Sequence, residues 1–261
     1  MLVLRCCYLG LKYHGFQIQP DVPTIQGTIQ RILEEMGYEY AIYYSSRTDA
    51  KVSALDQIIG LRIDRESIAY DLNKNLPEDI RIYAYTMVDK PIKSLVLSKE
   101  YLYIAPRFNI DKSIFDDIID YINKKIKLNY YYLIKKQSSI DFKAAQMALR
   151  IQYNFDDKFI YLRIRGKRFY WEQVRRLVIL ILSVALRIIS LSTATEILNG
   201  KPYKSGIPPA PPEGLILWKT RTEIDSDFLK VLEKKIIEKW LISEVKKAIL
   251  SANWVFPARE K

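Results

Sequence analysis

Apolar side chains alternate with others over residues 2–9, a run rich in Leu, Val, Cys and Tyr, and this spacing predicts a strand. Gly10 to Pro23 reads as a loop. Thr24 then stands as N-cap of a helix with Ile25, Ile29, Ile32, Leu33 and Met36 on one face and Gly37 at its end. A strand at Tyr40–Tyr44, a polar loop from Ser45 to Ser53 and a returning strand at Gln57–Ile63 follow. Ser67 opens a short helix to about Asn73, Asn75–Asp79 is a turn, and Ile80–Val88 is a strand. The order strand, helix, strand, strand, helix, strand is that of a split β-α-β unit, a ferredoxin-like plan related to RNA-recognition folds.

Asp89–Leu97 reads as a linker, so the expected domains are residues 1–92 and 93–261. The second part predicts strands at Tyr101–Ala105, Tyr130–Ile134 and Lys158–Arg165, and a helix marked by Ile114, Ile118 and Ile122. After Gly166-Lys167-Arg168 comes a long helix with Val174, Leu177, Val178, Ile181, Leu182, Ala185 and Ile189 on one face. A Pro-rich loop at Ile207–Pro212, a short strand at Leu215–Trp218 and an amphipathic helix or helix pair at Asp227–Leu250 complete the chain. Both parts have α+β character.

Composition narrows the chemistry. A chain of 261 residues, 49% hydrophobic and 27% charged, is ordinary for a folded protein. Its longest apolar run, Leu177 to Leu186, is shorter than the roughly 18 residues a membrane helix needs. With no signal-peptide pattern at Met1, the expectation is a soluble, cytoplasmic protein without a membrane partner. Cys6 and Cys7 are adjacent in a strand and point to opposite faces, which predicts no mutual disulfide. One histidine, His14, leaves no spacing for a zinc site or a His-based triad. If the chain is an enzyme, its reactive group is expected to be a carboxylate, with no metal and no cofactor.

Charge is unevenly spread. Residues 1–92 carry 10 Lys+Arg against 12 Asp+Glu, and residues 93–261 carry 31 against 18. Residues 150–187 hold nine basic residues, including Lys167, Arg168, Arg175 and Arg176, against three acidic ones. A field of this kind attracts polyanions, and phosphate contacts dominate nucleic-acid affinity.

The segment from Ser45 to Gln57 is the most informative. It places Arg47 two residues before Asp49 in a loop between strands, where a guanidinium can hold a carboxylate ionised for work as nucleophile or base. On chemistry alone, an aspartate that caps a turn is the ordinary reading.

Arg47-Thr48-Asp49 with Val52, Ser53, Ala54 and Gln57 resembles the signature Gly-Arg-Thr-Asp-x-Gly-Val-His/Ser-Ala-x-Gly-Gln of the TruA family of tRNA pseudouridine synthases. Other pieces recur in the family's order. These are Tyr13-His14-Gly15-Phe16-Gln17, Pro23-Thr24-Ile25-Gln26, Asn73 to Ile80 and Lys99-Glu100-Tyr101-Leu102-Tyr103, then Phe169 to Arg175 and Ala210 to Leu217. The match spans roughly residues 2–220. Ser46, Lys51 and Asp56 stand where the family has glycines. At any of these positions with positive φ, the replacement costs about 1 kcal/mol or more.

The resemblance implies an α+β fold of two ferredoxin-like, RRM-like α/β halves, forming a mixed, mostly antiparallel sheet with a central cleft. It implies isomerisation of uridine to pseudouridine in the tRNA anticodon arm, around positions 38 to 40, by a homodimer without cofactor. Asp49 is then the catalytic carboxylate. Arg47 holds the loop or fills the space of the flipped base. Tyr101 stacks on the uracil, Arg175 pairs with Asp49, and Leu215 packs beneath the base. Lys167, Arg168 and Arg176 are the expected phosphate contacts. Three other readings stand beside this one: a non-catalytic tRNA-binding protein on the same fold, a carboxylate-pair hydrolase with Asp56 as second acid, and a membrane-surface protein using Asp227–Leu250.

Overall fold

A computed structural model of the chain describes residues 1–39, 41–135 and 140–259. The chain forms two compact units. The first comprises Met1–Glu100 and Leu215–Ala248, and the second comprises Tyr101–Gly214 and Ile249–Lys261. Where the sequence suggests one boundary after residue 92, the chain thus changes units after Glu100 and returns at Leu215.

The first unit is built on the order predicted from its pattern. It contains β1 (Leu2–Tyr8), α1 (Ile25–Glu35), β2 (Tyr43–Tyr44), β3 (Ser53–Leu61), α2 (Ile68–Asn75) and β4 (Ile80–Met87). Thr24 caps α1, its hydroxyl accepting from the Gly27 N–H at 3.1 Å, and Ile25, Ile29, Ile32 and Leu33 are buried. The expected cap at Ser67 makes no side-chain bond to α2 and accepts instead from Arg65 Nε. β1 pairs antiparallel with both β3 and β4, and β2 pairs antiparallel with β3. This is the strand order of a ferredoxin-like half.

After residue 89 the expected linker turns into the short helix α3 (Ile92–Leu95), with Ile92 packed on Val3 and Ile58, and then enters β5 (Val96–Pro106). The short β2 covers only Ile59 and Gly60 of β3, so the beginning of that strand remains open on one edge. There β10 (Leu215–Thr222) pairs in parallel, Ile216 opposite Ser53 and Leu217 opposite Ala54. A two-residue strand, β11 (Leu229–Lys230), adds antiparallel to β4, and α7 (Lys234–Leu250) follows. The predicted C-terminal helix therefore begins seven residues late, because residues 229–230 satisfy the free edge of β4. The sheet of this unit is mixed and mostly antiparallel, and the fold is α+β.

The second unit carries the end of β5, then α4 (Lys112–Lys124), β6 (Leu128–Asn129), β7 (Gln146–Met147), β8 (Arg150–Phe155), β9 (Phe159–Gly166), α5 (Gln173–Ala185) and α6 (Leu191–Leu198). β9 lies between β5 and β8, and β8 pairs with β9 antiparallel from Arg150–Arg165 to Phe155–Ile160. Tyr130–Ile134 is not the predicted strand but a 3-10 turn over Tyr131–Leu133, started by the Asn129 side chain accepting from the Tyr131 N–H. α5 is buried on nearly all sides, consistent with a core helix. Among the described residues no helix is long and apolar enough to cross a membrane. The predicted strand Tyr40–Tyr44 is observed at Tyr43–Tyr44, and Tyr40 lies outside the described residues.

Candidate active site

β2 and β3 are joined by residues 45–52, the segment with Arg47, Thr48 and Asp49. Its side chains sort by depth. Ser46, Thr48 and Val52 are buried, Arg47, Ala50 and Lys51 are exposed, and Asp49 is half-buried between them. Three hydrogen bonds fix the backbone around Asp49: the Phe16 N–H to the Thr48 carbonyl at 3.1 Å, the Lys51 N–H to the Tyr13 carbonyl at 3.0 Å, and the Val52 N–H to the Asp49 carbonyl at 3.2 Å. The Thr48 hydroxyl bonds the buried Tyr8 hydroxyl at 2.7 Å.

Two glycines let the segment 10–16 lie against this loop. A Cβ on Gly10 would fall 2.0 Å from the Val52 carbonyl oxygen. Gly15 has φ +101°, and a Cβ there would fall 2.9 Å from the Thr48 oxygen. Phe16 is fully buried between Tyr8 and Tyr44, with ring centroids 6.0 and 4.9 Å away. The Tyr-His-Gly-Phe run is thus the backing of the Asp49 loop.

The loop entrance is held by Gln57 on β3. Its Oε1 accepts from the Ser45 hydroxyl at 2.8 Å and the Ser46 N–H at 3.2 Å, and its Nε2 donates to the Ser46 carbonyl at 2.7 Å. Lys99 Nζ donates to the Ser45 carbonyl at 2.6 Å, and burial lowers its pKa to about 8. Neither clamp was assigned a role from sequence. Both fall on motif positions, Gln57 at the end of the Ser45–Gln57 segment and Lys99 two residues before Tyr101.

Of the three replaced glycines, only Lys51 carries backbone strain, with φ +65°. Asp56 lies in regular strand and is fully buried, and Ser46 is buried with its hydroxyl unpartnered among the described residues. Asp56 points away from the Gln57 face and accepts from Arg5 Nη1 at 2.6 Å and the Tyr83 hydroxyl at 2.6 Å. The hydrolase reading needs Asp56 as a second acid near Asp49, and this placement speaks against it.

Leu215, the first residue of β10, is buried and precedes Ile216, which pairs with Ser53 at the exit of the loop. The structure therefore brings Leu215 beside the end of the Asp49 loop within the first unit. The other expected residues belong to the second unit. Tyr101 is buried on β5 with its ring edge-on to Phe169, centroids 4.9 Å apart. Arg175, on the first turn of α5, is buried rather than on the surface. Its Nε donates to the Ala210 carbonyl at 2.7 Å, and the Ala210 N–H donates to the Arg175 carbonyl at 3.1 Å. It thereby anchors the Pro-rich loop.

Lys167 and Arg168 are exposed, and Arg168 Nη2 donates to the Ala144 carbonyl at 2.7 Å. Arg176 is engaged inside the unit, with Glu172 Oε2 at 2.6 Å and the Ile207 carbonyl. Burial pushes the Glu172 pKa up, but hydrogen bonds from Lys135 and Arg176 outweigh it and leave the group below its ordinary value. Arg150, Arg163 and Arg165 are exposed on the β8–β9 hairpin, with Arg150 directly opposite Arg165. Like charges in that relation cost stability, which makes a polyanion partner for this face physically reasonable. Among the described residues no cluster of three His, Cys, Asp or Glu side chains is arranged to hold a metal.

Comparison with known proteins narrows the family. A family model described as tRNA pseudouridine synthase matches residues 134–223. Over 255 residues the chain is 31% identical to a tRNA pseudouridine synthase A of Pyrococcus furiosus, covering 92% of each chain. The chain belongs to the tRNA pseudouridine synthase A family. A relative of that name from Methanopyrus kandleri is 33% identical, over 83% of this chain and 84% of its own. One from Archaeoglobus fulgidus is 28% identical over 89% of both. This membership makes the chain an enzyme of the isomerase class.

Proposed function

We propose that this enzyme converts uridine to pseudouridine in the anticodon arm of tRNA, around positions 38 to 40, with Asp49 as nucleophile or base. The observation that carries this reading is the loop itself. Asp49 is half-buried on a segment whose neighbours on both sides are locked by Tyr8, Gly10, Gly15 and Gln57, so the carboxylate is held in place before any substrate arrives. A stacked uracil is out of reach and must first be extruded. Asp49 then attacks or deprotonates the ribose, and the bond from N1 to the anomeric carbon breaks. The uracil turns and a bond forms from C5 to that carbon as the bond to Asp49 breaks, or as the proton Asp49 took returns to the ribose. The C5 hydrogen leaves to solvent and N1 takes up a proton. Atoms and oxidation state are conserved, so the step calls for no redox group.

Tyr101 and Arg175 are assigned to the same reaction, the first stacking on uracil and the second pairing with the carboxylate. Arg47 holds the loop or fills the space of the flipped base, and Leu215 supports the base from below. Lys167 and Arg168, with the arginines of the β8–β9 hairpin, take the phosphates. Arg176 contributes least, since Glu172 already meets its charge. The exposed Leu229, Ile236 and Trp240 are read as part of a homodimer face, and the site of action as the cytoplasm.

The test is release of tritium from tRNA made with 5-tritiated uridine, followed by mapping of the modified positions. Release, with pseudouridine at positions 38 to 40, is the expected result. Binding without release would favour the non-catalytic reading, and free uracil in solution would favour a hydrolase.

A further inference from the structure

One group of charges in the first unit has no part in the chemistry above. Arg5 on β1 is 7% exposed and Asp56 on β3 is fully buried. Around them stand Tyr83 of β4, Thr220 and Thr222 of β10, and Asp225 and Phe228 of the segment that follows. Arg5 Nη1 donates to Asp56 Oδ1 at 2.6 Å and to the Thr220 carbonyl at 3.2 Å, while Nη2 meets Asp225 Oδ1 at 2.5 Å. The guanidinium lies 4.2 Å from the centroid of the Phe228 ring. Burial alone would lower the Arg5 pKa, but the carboxylates of Asp56 and Asp225, with the hydrogen bond to Asp56, override it and hold the group cationic.

Asp56 binds β10 twice. Its Oδ2 accepts from the Thr220 N–H at 3.1 Å, and its main-chain carbonyl accepts from the Thr220 hydroxyl at 2.7 Å. The paired residues of β3 and β10 are only Ile216–Ser53 and Leu217–Ala54. So short a parallel ladder adds little to the register by itself, and a slip of one residue would turn every side chain of β10 to the other face. A buried ion pair is a poor source of net stability, since apolar side chains of similar volume do as well, but it is well suited to fixing one register.

We propose that Asp56 is a positioning residue for the isomerisation, locking β10 to β3 so that Leu215 stands at a fixed place beside the Asp49 loop. The proposal rests on the reading of Asp49 as the catalytic carboxylate. Asp56 and Gln57 then act as a pair on opposite faces of one strand. Gln57 holds the entrance of the loop, and Asp56 holds the strand that supports the substrate at its exit.

The experiment compares single-turnover pseudouridine formation at saturating enzyme, tRNA affinity and thermal midpoint for four variants beside wild type. Asp56→Leu removes both the charge and the side-chain acceptor for the Thr220 N–H. Asp56→Asn keeps an acceptor and removes the charge. Thr220→Val deletes only the hydroxyl link, and Phe228→Ala loosens the packing over Arg5 without touching β10. Misplacement by an ångström costs up to about a hundredfold, so Asp56→Leu is expected to lose about that much rate, Thr220→Val about tenfold, and Asp56→Asn about threefold or less. All three should bind tRNA as wild type does. Phe228→Ala should have a lower midpoint and the wild-type rate.

The proposal is overturned if Thr220→Val and Asp56→Asn keep the wild-type rate while Asp56→Leu either keeps it or does not fold. It is also overturned if rate follows the thermal midpoint across all four variants. Wild-type turnover in the same assay reports separately on the catalytic reading.

Discussion

The first unit holds 20 basic against 19 acidic residues, and the second holds 21 against 11. The two differ in what they do with charge. In the first, charges are met internally, as at Arg5 and Asp56, and the half-buried Asp49 sits on a loop held by hydrogen bonds from Gln57 and Lys99. In the second, Arg150, Arg163, Arg165, Lys167 and Arg168 all face solvent. The Asp49 loop offers geometry, and the exposed basic face of the second unit offers field. Changes at the Asp49 loop should therefore act on rate and stability, and changes on the exposed basic face of the second unit on affinity and its salt dependence.

The largest effect is expected from Gly10→Ala. Its Cβ would fall 2.0 Å from the Val52 oxygen, so the loop must move. The cost should be about 2 kcal/mol or more, read from the denaturation midpoint, together with a large loss of turnover. On the other side of the comparison, Lys167→Glu with Arg168→Glu should weaken tRNA binding by one to two orders of magnitude and reduce the salt slope by about two. The single-turnover rate at saturation should stay near wild type. A rate that falls while affinity holds would break the division of labour between the loop and the basic face.

Lys51→Gly sharpens the comparison from the opposite direction. The side chain occupies a left-handed conformation at φ +65°, and its removal should stabilise the protein by up to about 1 kcal/mol. A lower midpoint would show that the lysine contributes more than its strain costs. A pH-dependent effect concerns Lys99, whose pKa falls from 10.5 to about 8. Between these values the unfolded chain binds the extra proton, so this group's contribution is full above pH 10.5 and is lost as pH falls through 8. Lys99→Met should remove that increment from the pH dependence of stability, and an unchanged profile would contradict the assignment.

Much of the first unit was legible in the sequence, because its strands and helices repeat at their own periods and Thr24 and Gly37 mark the ends of α1. Local pattern failed where pairing decides structure. Tyr130–Ile134 is apolar enough for a strand, but the Asn129 side chain turns it into a 3-10 helix. Residues 229–230 look like the start of a helix until the open edge of β4 is known. β8 also carries a strand alternation, with Ile151, Tyr153 and Phe155 on its less exposed face. The site divides in the same way. Asp49 stood out through its neighbours in the motif, whereas the partners of Asp56 lie 27, 51 and 164 residues away along the chain, distances no local pattern spans.

The most direct test of this account is Asp49→Asn, assayed for pseudouridine and for tRNA affinity with the same preparation. Asparagine keeps the size of the side chain and removes the reactive carboxylate. The account predicts a loss of turnover on the order of a thousandfold or more, with affinity changed little. Pseudouridine formed by the variant at a rate near wild type would contradict it.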